Sequence, residues 1–125
     1  MAELNTGEQQ RFRTLVAKHW AAIEAGQPEN AEHTSHALER LVKQIPRQDH
    51  DNDRIVFLRG FFTAQETSEV QEVAAVFALQ YGYATEAVPV LEEIARTEGI
   101  GLIADDAALV LAEWHDQDSP GRYHW

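Results

Sequence analysis

The chain has 125 residues, 44% of them hydrophobic, with only 7 Gly and 4 Pro, which fits one globular domain and excludes collagen-like or disordered chains. With no Cys it has no disulfide, thiolate zinc site, iron–sulfur cluster or cysteine nucleophile, as expected of a reducing compartment. A net charge of -11 disfavours nucleic acid and anionic membranes as partners, because their phosphates need the opposite sign.

Six amphipathic segments follow in chain order, and none alternates with period two, so the spacing predicts an all-α fold. In the first, Phe12, Leu15, Val16, His19, Trp20 and Ile23 share one helical face, Asn5 and Glu8 form a capping box, and Gly26 stops the helix. Pro28 opens the second, whose stripe is Ala31, Ser35, Leu38, Leu41, Val42 and Ile45, and Pro46 ends it. The polar run 47–53, RQDHDND, reads as a linker. Ile55, Leu58, Phe61 and Phe62 mark a short third helix, and Thr63 to Thr67 turn the chain.

Ser68 is the expected cap of a fourth helix in which Val70, Val73, Ala74, Phe77 and Ala78 face inward until Tyr81 and Gly82 close it. Thr85 is the expected cap of the fifth, with Pro89 in its first turn and Val88, Leu91, Ile94 and Ala95 packing. Gly99, Ile100 and Gly101 connect to a sixth helix that buries Ile103, Ala107, Val110, Leu111 and Trp114, and residues 117–125 form an irregular tail. Short connections join neighbours, so the six helices are expected as three antiparallel hairpins in a single domain over 1–125. The third hairpin starts about 31 residues after the second, near the helical-repeat periods, which favours a short α-solenoid, with a closed six-helix bundle as the alternative.

The charge is segregated along the chain. Residues 1–59 carry nine acids and eight bases, whereas residues 60–121 carry twelve acids against the single Arg96. Natural surfaces intersperse the two signs, so a one-sign half points to steering of a basic partner; a solvated face kept in solution by its charge is the plainer alternative. The N-terminal MAELNTGEQQRFR has no apolar run behind a basic one, and no stretch approaches a membrane span, so a cytoplasmic protein is expected.

The stretch 68–95 resembles the junction of two HEAT repeats. Val70, Ala74, Ala75, Ala78 and Gly82 answer the first unit, and Ala87, Val88, Pro89 and Leu91 the opening of the next. Gln71 stands where such units commonly carry a basic residue. A closer similarity is to a family of short bacterial HEAT-like proteins known as the domain of unknown function two thousand and nineteen. It rests on Trp20, Ile23, Gly26 and Ala31, then on VAAVFALQY, AVPVLEEIA, a Gly-containing turn and LVLAEW ending at Trp114, and it covers about residues 12–116. The resemblance implies a helical binding scaffold without a catalytic centre. Similar small HEAT-like proteins serve as immunity partners of bacterial toxins, an analogy of fold rather than of site.

Chemistry-bearing clusters are few. Glu32, His33 and His36, with Glu29 and Glu39, lie at helical spacings that bring oxygen and nitrogen ligands to one face, the pattern of a helical metal site or metal-dependent enzyme. No second Glu-x-x-His completes a di-metal bundle, and a solvated polar face accounts for the same residues. His19, on an apolar stripe, reads as a hydrogen-bonded core histidine. His50 lies in DHDND, which lacks the Gly and distal Glu of a calcium loop. There is no nucleophile elbow, P-loop or dinucleotide fingerprint, so no catalytic residue and no cofactor is assigned.

The expectation is a monomeric, non-enzymatic module binding a basic protein, such as a cognate toxin domain. Glu69, Glu72, Asp105, Asp106 and Glu113 would supply the charge, and Tyr81 and Tyr83 the aromatic anchors. Trp20 and Trp114 are expected in the core.

Overall fold

The computed structural model describes residues 6–44, 52–97 and 101–117. Among these the chain is all-α: α1 Thr6–Glu24, α2 Pro28–Lys43, α3 Asn52–Arg59, α4 Ser68–Gln80, α5 Ala84–Arg96 and α6 Leu102–Gln117. Among the described residues no helix is long and apolar enough to cross a membrane. Asn5, Ile45, Pro46, residues 47–51 with His50, Gly99, Ile100 and residues 118–125 lie outside the described residues. The helices group into two compact units that divide after Phe57.

In the first unit α1 packs along α2. The turn between them is set by Gly26, whose φ of 70° is a left-handed conformation that other residues adopt only at a cost. Gln27 N–H bonds to Ala22 carbonyl at 2.9 Å and Gly26 N–H to Ile23 carbonyl at 3.1 Å, the paired bonds of a Schellman cap. Pro28 follows at the first helical position, where its missing N–H costs nothing. Phe12, Val16 and Trp20 from α1 and Leu38, Leu41 and Val42 from α2 are buried, as the spacing predicts. Phe57 meets Phe12 edge-to-face, with ring centroids 5.8 Å apart.

In the second unit α5 and α6, expected as a hairpin, pack on one another, and α4 packs on both. Gly82, at φ 92°, repeats the same cap: Tyr83 N–H reaches Ala78 carbonyl at 2.9 Å and Gly82 N–H reaches Leu79 carbonyl at 3.1 Å. Nine of the 13 residues of α4 are buried, on every side of the helix, where the sequence reading assigned five to one stripe. A helix apolar around its whole circumference is a core helix, and α4 is that element here.

Several boundaries differ from the sequence reading for local reasons. Thr67, not Ser68, caps α4, since its hydroxyl accepts from Val70 N–H at 3.2 Å. Tyr83 precedes α5 in place of Thr85, so Pro89 falls in the second turn, on the exposed side. Helix α3 begins at Asn52, inside the expected linker, and ends at Arg59, before Phe61 and Phe62. Leu111 and Trp114 are half-buried rather than core. Gln71, the departure from the HEAT pattern, donates from Nε2 to the carbonyls of Thr63 and Glu66 and so braces the turn before α4.

Candidate protein-binding surface

The expected partner-binding residues lie in the second unit and are spread over α4, the α4–α5 turn and α6. Glu69 is half-buried in the first turn of α4, where the helix's free amide groups favour a negative charge. Tyr81 and Tyr83 are half-buried on either side of Gly82. Asp105 and Glu113 are exposed on α6, and Asp106 is half-buried.

Glu72 is the correction. Its relative exposure is 0%, so it offers no charge to a partner. Both of its carboxyl oxygens, and Oδ2 of Asp106, are buried with no hydrogen-bond donor facing them. Burial first, and then the adjacent Asp106 carboxyl through hydrogen bonding and charge, hold Glu72 well above the ordinary carboxylate range. Two carboxyls without a basic group between them are satisfied when one keeps its proton and donates it to the other. Burial and the neighbouring carboxyl both favour the neutral form of Glu72, the more buried of the two acids. The signal was present in the sequence: Glu72 leads Ala75, Val76 and Leu79 at i, i+3, i+4 and i+7, a second apolar ladder beside the one used to orient the helix.

Among the described residues, both arginines of this unit are engaged. Arg59 pairs with Glu86 at 2.7 Å, and Arg96 pairs with Glu93 at 2.8 Å within α5. Neither contributes much to stability at such exposure, yet each lowers the positive field available to offset the remaining acids. Asp105 and Glu113 share their side of α6 with Leu102 and Leu109, which are 53% and 57% exposed. These leucines were missed because they lie off the ladder from Ile103 to Trp114; a second apolar spacing, seven residues apart, is their signal.

The alternative metal cluster is not assembled. Glu32, His33 and His36 are all exposed on α2, and among the described residues no three His, Asp or Glu side chains come together to hold an ion. A stable site needs ligands that converge, and the polar side of one helix alone does not make them do so. His19 is a core histidine. It is 1% exposed, and its Nδ1 lies 3.0 Å from both the Ala31 carbonyl and Thr34 Oγ1, which joins α1 to α2. Its replacement in His19→Leu should cost about 1–2 kcal/mol in chemical denaturation, the worth of a buried hydrogen-bonded group; an unchanged midpoint would mean that this link carries no stability.

The chain matches no family model, no curated protein and no solved structure.

Proposed function

We propose that this chain is a non-catalytic binding module whose acidic second unit captures a basic protein, a toxin domain held in the immunity role. One observation carries the reading: residues 60–121 hold twelve acids against one arginine, and that Arg96 is paired with Glu93. Asp105 and Glu113 stand in solvent, where a long-range field speeds encounter with a cation-rich surface and binding energy comes from whatever is buried beside them. The resemblance to small HEAT-like immunity partners agrees with this role, and cytoplasmic residence would follow from it.

The test is a pull-down from lysate of the source cells, with the wild-type chain and a Glu69→Lys/Asp105→Lys/Glu113→Lys variant as baits. A basic protein should be held by wild type and lost by the variant, and with that protein purified the variant should associate about tenfold more slowly at low salt. Equal capture by both baits, or an acidic protein in the eluate, would overturn the reading.

A further inference from the structure

We propose that the outward face of α6 docks an amphipathic basic helix of the partner; this rests on the acidic-capture reading and names the chemistry of what is captured. Large hydrophobic side chains exposed to solvent among the described residues are Val56, in the first unit, and Leu102 and Leu109, both on α6. The two leucines are one heptad apart, about 10.5 Å along the axis and on nearly the same side of the helix.

Asp105 and Glu113, both exposed, extend that stripe: positions 102, 105, 109 and 113 follow steps of three and four, which align side chains along one face. On the opposite side Ile103, Ala107 and Val110 are buried in the unit's core. Helix α6 thus has two apolar faces, one packed and one bare, and the bare one is bordered by the exposed acids Asp105 and Glu113.

Charge chooses the occupant. A second copy of the chain would bring Asp105 and Glu113 against the same acids, in a molecule of net charge -11. Like charges across an apolar seam oppose pairing. Helix α6 contains no Lys or Arg to relieve that repulsion. A helix with apolar residues one heptad apart and Lys or Arg beside them would cover Leu102 and Leu109 and pair with Asp105 and Glu113 at once.

Two synthetic helical peptides test this, one with leucines one heptad apart flanked by lysines, the other with glutamates in place of the lysines. Each is titrated calorimetrically against the full chain, a Leu102→Ser/Leu109→Ser variant and an Asp105→Lys/Glu113→Lys variant. The lysine peptide should bind wild type, lose roughly tenfold or more in affinity against each variant, and outbind the glutamate peptide. These substitutions lie in solvent and should leave helical content unchanged by circular dichroism. Failure of the lysine peptide to bind wild type would overturn the inference. So would equal binding to the serine variant, although loss of the basic protein on charge reversal in the pull-down would then still uphold the capture reading. A wild-type dimer in light scattering that the serine variant abolishes would assign the face to a second copy and overturn it as well.

Discussion

At about pH 8 the Glu72→Gln protein should be more stable than wild type, by about 1.4 kcal/mol for each pH unit by which burial and Asp106 lift the Glu72 carboxyl above its unfolded value. Glu72 is wholly buried, its oxygens face no donor but a carboxyl, and its proton is held well above the ordinary carboxylate range. The folded chain therefore keeps a proton that the unfolded chain releases near about pH 4.3. Whatever this group gives the fold is fully present below that pH. It declines by about 1.4 kcal/mol per pH unit as pH rises toward the folded value.

Glutamine has the same shape and a permanent N–H for Asp106, so it removes that decline. The stability difference between Glu72→Gln and wild type should be near zero in acid and grow with pH, read from urea unfolding at a series of pH values. The variant cancels the other carboxylates from the comparison, since both proteins share them. A difference that stays flat with pH would mean that Glu72 is ionised in the folded chain, and the shared-proton link between α4 and α6 would fall.

The other large effect is expected at Phe77. Its side chain is 0% exposed on α4, whose neighbours Val73, Ala74, Ala78 and Leu79 are also fully buried. Phe77→Ala removes the transfer energy of the ring and leaves a cavity, which together cost about 3–5 kcal/mol. Against a total stability of about 5–15 kcal/mol for an ordinary domain, that is enough to shift the unfolding midpoint far or to abolish folding. Leu109→Ala serves as the comparison, because a side chain in solvent should change stability by no more than about 0.5 kcal/mol. Equal costs at the two positions would remove α4 from the centre of its unit.

The two expectations bear on the binding reading. Glu72 is buried on α4 beside Asp106 of α6, while Asp105 and Glu113 are exposed on α6. Acids that look alike in composition thus divide into one buried where its charged form is disfavoured and others that stand in solvent. Charge reversal aimed at capture must leave Glu72 and its neighbour Asp106 alone, because a lysine at the fully buried Glu72, or against it from Asp106, would disrupt the unit rather than report on a partner.

Helix type and placement were legible from the sequence because they depend on local chemistry. The ladder from Phe12 to Ile23, the Pro28 start and the glycine stops at Gly26 and Gly82 each act within a few residues, and the structure has them where the spacing puts them. The caps of α4 and α5 moved by one or two residues because Thr67 and Ser68, or Tyr83 and Thr85, compete for the same role, and the geometry of the incoming chain decides between them. The one-sign charge of residues 60–121 was likewise a matter of counting. Only the tertiary structure decided that α4 is buried on all sides, that Glu72 lies inside beside Asp106, and that Leu102 and Leu109 lie outside. Periodicity states which residues share a face, but burial depends on whether another element covers that face, and that is settled by residues distant in the chain.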